Sequence, residues 1–259
     1  MSEKVVVTGG AGFIGHVFIK KLIENTDYEI ISMDRLDYSG NLNRISDMMQ
    51  DYDSKTKSRL KIIHHDLKAE INNLVQSQIG DVKHIFHIAA SSHVDRAIEN
   101  PMTFVQDNVV ATCNVLNYAR ELDNLETFVY FSTDEVFGPA LEGVKFKEWD
   151  RYNSTNPYSA TKAGGEELAI AFHNTYGVPV IITHCMNVFG QRQHPEKYIP
   201  NTVYKALNNE KIIIHSDSTK NNPGSRHYIH VEDVADAVLF ILNNKERIKD
   251  IPDDKFGAK

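Results

Sequence analysis

Short apolar segments alternate with amphipathic segments along most of this 259-residue chain. The apolar segments have the length and the β-branched content of strands, and they cover residues 4–8, 29–33, 61–64, 84–89, 127–132 and 178–183. Runs such as Val5-Val6-Val7 are apolar without alternation, which is typical of strands covered on both faces in a parallel sheet. The segments between the strands have helical periodicity. The pattern therefore predicts an α/β fold with a doubly wound parallel sheet.

The regular alternation of strands and helices weakens beyond Asn187. From there on the pattern predicts a helix at 198–207, a short strand at 212–214 and a helix at 232–242. We interpret this region as the start of a second, smaller lobe. The predicted domains are residues 1–186 and 187–259, with part of 225–245 packing back on the first domain.

Composition and charge narrow the classes of partner. The formal net charge is −7 and the sequence pI is about 5.9. A chain with this negative charge is not expected to bind nucleic acid or an anionic membrane through a broad positive surface. No apolar run approaches the ~20 residues that span a bilayer, and Met1 leads directly into a strand pattern, so we expect neither a membrane protein nor a secreted one. Cys113 and Cys185 lie in apolar segments and are expected to be buried free thiols. These features favour a cytoplasmic protein with small-molecule partners.

A glycine-rich segment directly follows the first predicted strand and opens a helix. It carries the spacing G-x-G-x-x-G at Gly10, Gly12 and Gly15. Glycines at this spacing permit a tight turn and a close approach of the backbone to a pyrophosphate, which then lies on the helix N-terminus where free N–H groups favour anions. The segment predicts a Rossmann-type dinucleotide site.

Two aspartates follow the next predicted strands. Asp34 stands roughly 20 residues beyond the glycines, where a carboxylate can hold the ribose 2′-hydroxyl and would repel a 2′-phosphate. This favours NAD over NADP as the cofactor, although the adjacent Arg35 could accommodate a phosphate. Asp66 is a candidate contact for the adenine, and a surface or capping aspartate is an equal alternative there.

Polar residues with acid–base chemistry follow the fifth predicted strand. Thr133, Asp134 and Glu135 stand at its carboxyl end, where open α/β sheets place their ligands. Tyr158 and Lys162 are four residues apart in the next helical segment and therefore share one face. A solvated turn and a solvated helix face would explain either feature alone. Together with the glycine segment they predict an enzyme active site.

These motifs resemble those of the extended short-chain dehydrogenase/reductase family, whose glycine-rich start matches Gly9, Gly12 and Gly15 and whose catalytic pair matches Tyr158 and Lys162. Within that family the chain is similar to the nucleotide-sugar 4,6-dehydratases that act on dTDP-glucose and UDP-glucose. The similarity is carried by STDEVFG at 132–138, SHVDR at 92–96 and HPEKYIP at 194–200. It extends over essentially the whole chain.

The resemblance implies a lyase that oxidises the sugar at C4, eliminates water across C5 and C6, and reduces C6 to leave a 4-keto-6-deoxy sugar, with NAD as a catalytic shuttle. It implies that Tyr158 takes the C4 hydroxyl proton and Thr133 hydrogen-bonds the C4 oxygen. Glu135 would remove the C5 proton, and Asp134 would protonate the departing C6 hydroxyl. A free phenol has a pKa near 10, so we expect Lys162 and the positive nicotinamide to lower the pKa of Tyr158.

The resemblance also assigns residues to the two ligands and implies a homodimer. The cofactor residues are Gly9, Gly12, Phe13, Ile14, Gly15, Asp34, Asp66, Leu67, Ala89, Ala90, Tyr158 and Lys162. The nucleotide-sugar residues are Ser92, Thr133, Asn187, Lys197 and Arg226, the last of which would meet the diphosphate.

Three features depart from the family pattern. Ser91 stands where the family usually has Glu, and Val188 stands where a second Asn is expected after Asn187. Family members also continue for many residues beyond the position of Lys259. This implies that the substrate lobe in residues 187–259 is incomplete.

Two other functions stay open on the sequence alone. A sugar-nucleotide epimerase or decarboxylase of the same family would share the cofactor site and the tyrosine but would not need Asp134. A truncated, non-catalytic NAD-binding or nucleotide-binding protein would bind without turnover. No metal site is expected, because the histidines of the pairs His84/His87 and His227/His230 are three positions apart and point to opposite faces of a strand.

Overall fold

A six-stranded parallel sheet forms the centre of the computed structural model, which describes residues 3–140, 143–214, 216 and 218–246. The strands are β1 (Lys4–Thr8), β2 (Glu29–Asp34), β3 (Leu60–His64), β4 (His84–His87), β5 (Thr127–Thr133) and β6 (Val180–Cys185). Their order is β3-β2-β1-β4-β5-β6, and all neighbours are parallel. The predicted doubly wound α/β fold is therefore confirmed. The order reverses between β1 and β4, where such sheets open a crevice for ligands.

Helices connect the strands and cover both faces of the sheet. They are α1 (Phe13–Asn25), α2 (Leu42–Met49), α3 (Ser54–Ser58), α4 (Asn73–Ile79), α5 (Val94–Glu99), α6 (Pro101–Val105), α7 (Ala111–Ala119), α8 (Pro157–Tyr176), α9 (Tyr198–Leu207) and α10 (Val231–Asn243). A π-helical turn at Gln106–Val110 joins α6 to α7, and a 3₁₀ turn at Asp134–Phe137 follows β5. A separate two-stranded parallel sheet pairs β7 (Asn187–Phe189) with β8 (Tyr228–His230).

Two apolar cores hold these layers together. On one face of the sheet, α10 packs beside α1, and Val234 shares a core with Phe18 and Val5. On the other face, Leu116 of α7 packs with Ile85 and further buried residues of β4 and β5. Full burial of a side chain of this size contributes about 1.5–3 kcal/mol. Helix α10 is thus part of the same core as α1.

Residues 212–214 do not form the predicted strand. Ile212, Ile213 and Ile214 are 37%, 63% and 61% exposed, and no strand within the described ranges pairs with them. An apolar run becomes a strand only where a partner takes its N–H and C=O groups, and none stands alongside here. The sheet of β7 and β8 was not predicted, since three-residue strands are too short to show a period.

The prediction about the cysteines was partly wrong. Cys113 and Cys185 are free thiols, but both are half-buried rather than buried. Cys185 ends β6 at the rim of the crevice, where a strand loses its covering helices. No helix in the described ranges has the length and apolarity needed to cross a bilayer.

Candidate active site

The glycine turn after β1 is built for close backbone approach. Gly9 has a φ of +70°, and a Cβ on Gly15 would lie 2.2 Å from the Gly9 carbonyl oxygen. Gly12 precedes α1 and has no side chain with which to cap the first N–H groups of the helix. These N–H groups therefore face the crevice with a partial positive charge, as a bound pyrophosphate requires.

Asp34 lies at the carboxyl end of β2 with its carboxylate fixed in place. Its Oδ2 accepts a hydrogen bond from the backbone N–H of Ala11 at 3.0 Å, and its Oδ1 accepts one from Leu36 at 2.8 Å. The residue is 8% exposed and lines the same cavity as the glycines. A carboxylate held in this way is suited to a ribose hydroxyl, so the residues present fit a dinucleotide.

The cavity, of about 350 Å³, gathers the other predicted cofactor residues. Those among its lining are Phe13, Ile14, Asp66, Leu67, Ala89, Ala90, Tyr158 and Lys162. Asp66 is also a turn-forming residue, because its carboxylate accepts from the N–H of Lys68 at 3.1 Å and lies 3.2 Å from the Lys68 ammonium. The turn role of Asp66 is therefore observed, whereas its contact with the adenine stays a prediction.

The end of β5 and the 3₁₀ turn that follows it place three polar side chains in the cavity. Thr133, Asp134 and Glu135 all line it. The Thr133 hydroxyl accepts from the N–H of Glu135 at 3.3 Å and donates to Asp134 Oδ1 at 3.3 Å. The side chain of Asn156 donates to Glu135 Oε2 at 3.3 Å. The sheet edge therefore brings the residues of two separate sequence motifs together.

The start of α8 fixes the position of the Tyr–Lys pair. Asn156 and Ser159 form a reciprocal capping box, with Pro157 in the first helical turn. Pro fits this place because the first N–H groups of a helix have no internal partner. Tyr158 and Lys162 follow on the buried face of the helix, 9% and 3% exposed.

The electrostatics of this pair differ from the prediction. Burial and then the charge of Glu135 raise the pKa of Tyr158, whereas the neighbouring Thr133 hydroxyl acts to lower it. Burial also lowers the pKa of Lys162 to about 7, so this lysine is only partly charged at neutral pH. It is a correspondingly weak source of positive charge. In the chain by itself the tyrosine is therefore a neutral phenol, and the expected lowering by Lys162 is not found.

A buried polar network lies behind Lys162. Glu166 is 1% exposed, and its Oε1 accepts hydrogen bonds from the Tyr152 hydroxyl and, at 2.8 Å, from His184 Nε2. Burial acts to raise the pKa of Glu166, but the hydrogen bonds from His184 and Tyr152 outweigh it and hold the pKa below its ordinary value. The resulting carboxylate acts to raise the pKa of Lys162 against its burial.

The predicted substrate residues are not all brought together. Ser92, Asn187 and Lys197 line the cavity, and Lys197 Nζ donates to the Ser92 carbonyl at 2.8 Å. Arg226 is outside this lining, is exposed, and donates to the carbonyl of its neighbour Ser225 at 2.8 Å. The assignment of Arg226 to the diphosphate stays a prediction.

Two buried polar residues of the site were missed in the sequence. Asp107 and Asn108 lie in the π-helical turn, 6% and 1% exposed, and Asp107 lines the cavity. The Asn108 amide holds both backbone groups of Ser91, at 2.8 and 3.0 Å. A signal was available, since Gln-Asp-Asn interrupts an otherwise apolar helical pattern. Within the described part of the chain, no cluster of three or more His, Cys, Asp or Glu side chains could hold a metal.

The fold and the site define a Rossmann-type dinucleotide-binding protein with the Tyr–Lys pair of the extended short-chain dehydrogenases/reductases. The family described as GDP-mannose 4,6 dehydratase matches residues 6–252. The chain belongs to this family.

Individual relatives agree with this membership. The low-salt glycan biosynthesis protein of Haloferax volcanii is 37% identical over 238 residues, covering 92% of this chain and 72% of the relative. The dTDP-glucose 4,6-dehydratase of Salmonella typhimurium is 34% identical over 258 residues, covering 92% and 68%. A crystal structure of the dTDP-glucose 4,6-dehydratase of Streptomyces venezuelae with NAD bound superposes with a TM-score of 0.82 at 34% identity, covering 92% of this chain and 71% of that one.

Proposed function

We propose that the chain catalyses the NAD-dependent dehydration of a nucleotide-activated glucose, dTDP-glucose or UDP-glucose, to the 4-keto-6-deoxy sugar. The observation that carries this proposal is the position of Asp134 and Glu135 on the same cavity as Tyr158. An epimerase needs the tyrosine but has no use for two further acid–base groups. Relatives at 34% identity are named for this dehydration.

The cofactor part of the proposal rests on the glycine turn and Asp34. The backbone N–H groups at the start of α1 would hold the pyrophosphate, and Asp34 would hold the ribose hydroxyl. NAD supplies the hydride acceptor for C4 and the hydride donor for C6, together with a positive charge beside Tyr158 when it is bound. Burial raises the pKa of Tyr158 in the chain alone, so the positive charge of bound NAD would be needed to favour its phenolate, the form that acts as a base.

Each proton movement has a residue within the cavity. Tyr158 takes the proton of the C4 hydroxyl, and Thr133, which lines the same cavity, donates to the C4 oxygen. Glu135 removes the C5 proton, which becomes acidic once C4 is a ketone, and returns it to C5 when hydride is added at C6. Asp134 protonates the C6 hydroxyl as it leaves as water. Each general acid–base step of this kind is worth roughly 10²- to 10⁴-fold in rate.

The substrate would lie against the second of two domains, predicted over 187–259, of which 187–214, 216 and 218–246 are described and the rest lies outside the described residues. Ser92, Asn187 and Lys197 are proposed contacts because all three line the cavity. Burial lowers the pKa of Lys197, while the charge of Glu135 acts in the opposite direction. A bound anionic diphosphate would favour the charged ammonium further.

Product analysis tests the reaction. The purified chain is incubated with NAD and either dTDP-glucose or UDP-glucose, and the sugar nucleotide is examined by mass spectrometry and NMR. We expect loss of one water and a 4-keto-6-deoxy product from at least one donor. A folded chain that binds NAD and leaves both donors unchanged, or inverts C4 without losing water, contradicts the proposal.

The role of Asp134 can be separated from that of the cofactor site. Asp134→Asn removes only the acid for the leaving hydroxyl, so we expect elimination to slow by at least about 10²-fold while C4 oxidation changes little. Stopped-flow absorbance would then show accumulation of reduced cofactor. Asp27→Asn, at an exposed position outside the cavity, is the matched control. Equal slowing of oxidation and elimination would contradict this role.

We further propose a homodimer. Ile98, Met102 and Val110 lie on consecutive helical segments and are 61%, 62% and 41% exposed, which supports an apolar association surface. Light scattering after size exclusion would give a monomer mass if this is wrong.

A cytoplasmic location is also proposed, supported by the free thiols of Cys113 and Cys185. Fractionation of cells with an epitope-labelled chain tests it.

A further inference from the structure

Arg35 follows the ribose-binding Asp34 directly and lines the same cavity. All three nitrogens of its guanidinium lie within 2.8 Å of a carboxylate oxygen. Nη1 and Nη2 donate to the two oxygens of Asp107 at 2.5 and 2.8 Å, and Nε donates to Asp37 Oδ2 at 2.8 Å. The pair with Asp107 is a bidentate fork, which is the strongest geometry for these two groups.

Asp107, the other partner of this ion pair, is held in place by its burial and by Ser91. Its side chain is 3% exposed, and its Oδ2 also accepts from the Ser91 hydroxyl at 2.6 Å. Ser91 is itself fixed by the Asn108 amide, which contacts both its N–H and its C=O. The π-helical turn places Asp107 and Asn108 side by side on this buried surface. The short Ser91 side chain leaves the carboxylate position to Asp107, where a longer acidic side chain would repel it.

An arginine beside the ribose carboxylate is the group that accommodates the 2′-phosphate in Rossmann proteins that bind NADP. In this chain the positive charge of Arg35 is already compensated by the carboxylates of Asp37 and Asp107. To meet a 2′-phosphate, Arg35 would have to leave the buried Asp107 carboxylate with the more distant Lys68 ammonium, at 3.9 Å, as its remaining described cation, which is unfavourable. Four carboxylates surround the position, those of Asp34, Asp37, Asp66 and Asp107. Among the described residues, three cations accompany them, Arg35, Lys68 and Arg44, so the carboxylates outnumber the cations by one.

We propose that Asp107 determines cofactor specificity by holding Arg35 in the bidentate pair, so that the arginine is withheld from the 2′-phosphate of NADP. Asp107 is a positioning residue in this inference, because it acts through Arg35. The inference rests on the proposed use of a nicotinamide dinucleotide and deepens it. Arg35, which the sequence left available for a 2′-phosphate, is then committed to Asp107.

Equilibrium binding tests the inference without turnover. The dissociation constants of NAD and NADP are measured by titration calorimetry, and their ratio is compared among variants. We expect the wild-type chain to bind NAD at least about 100-fold more tightly than NADP, since like-charge contacts are costly. Asp107→Asn should reduce this preference by about tenfold or more, mainly through tighter NADP binding.

A double variant and a charge control test whether the change in cofactor preference depends on the Arg35–Asp107 pair. If the gain comes from a released guanidinium, adding Arg35→Ala to Asp107→Asn should abolish it and return the ratio to within about threefold of wild type. Asp107→Ser, which keeps a hydroxyl beside Ser91, replaces Asp107→Asn if the amide does not fold. Asp123→Asn, exposed and outside the cavity lining, removes the same formal charge elsewhere and should leave the ratio unchanged.

The outcomes separate this inference from the proposed function. A wild-type chain that binds NAD, with folded Asp107 variants that keep its full preference, overturns the inference and leaves the function standing. A gain in NADP binding that survives removal of Arg35 overturns it as well. A wild-type chain that binds neither dinucleotide overturns the proposed function, and this inference with it.

Discussion

Replacing Lys162 by methionine should stabilise the chain in the absence of cofactor. Lys162 is 3% exposed, and burial lowers its pKa from 10.5 to about 7. At ~1.4 kcal/mol per pH unit, this fall corresponds to about 5 kcal/mol of destabilisation of the folded ammonium form. The ammonium also lies 4.3 Å from the centre of the Tyr130 ring, a cation–π contact worth ~2 kcal/mol when desolvated. We therefore expect a net gain of about 2–3 kcal/mol for Lys162→Met at low pH.

The gain should depend on pH in one direction. Below about pH 7 the lysine is protonated in both the folded and the unfolded chain, so the whole penalty is present. Between pH 7 and 10.5 the unfolded chain binds more protons than the folded one, and the wild-type free energy of unfolding rises with pH. The advantage of Lys162→Met should therefore shrink across that window.

Urea unfolding of both proteins at pH 6, 7.5, 9 and 10 measures this difference. Lys55→Met, at an exposed lysine, is the matched control and should match wild type within ~0.5 kcal/mol. The reasoning is refuted if Lys162→Met is less stable than wild type at pH 6, or if the difference between them stays constant with pH. In the proposed reaction the same variant should lose turnover, because it no longer has a polar group at this place in the cofactor site.

Two further substitutions test other parts of the structure. Gly15→Ala would place a Cβ 2.2 Å from the Gly9 carbonyl oxygen, so we expect a loss of about 1–3 kcal/mol of stability and at least about tenfold weaker NAD binding in thermal-shift titrations; an unchanged affinity would contradict the proposed role of this turn. Glu126 forms ion pairs with Lys245 and Lys83, which lower its pKa to about 2. These ion pairs should therefore stabilise the folded chain above about pH 4.5, and this stabilisation should disappear as the pH falls to 2. Glu126→Gln should therefore cost about 0.5–1 kcal/mol near pH 7, because solvent screens the pair, and nothing near pH 2 in matched urea titrations; equal losses at both pH values would contradict this.

The strands and the glycine turn were predictable because their causes are local in the sequence. Apolar runs predicted all six strands of the main sheet to within two residues at either end. The spacing of Gly10, Gly12 and Gly15 predicted the turn into α1, since few other residues fit such a close backbone approach. Local signals failed at 212–214, where an apolar run has no neighbouring strand to pair with in the described part of the chain.

The sequence alone determined which chemical groups this protein has and, through the period of its apolar residues, the sheet edge at which they collect. It could not determine their charge states or their partners, because these depend on burial and on residues far apart in the chain. Only the tertiary structure placed Asp107 against Arg35, 72 positions away, and so compensated a guanidinium that the sequence left free for a phosphate. The same holds for Tyr158 and Lys162, whose spacing is visible in the sequence. Burial decides that the chain alone holds the first as a neutral phenol and the second only partly charged.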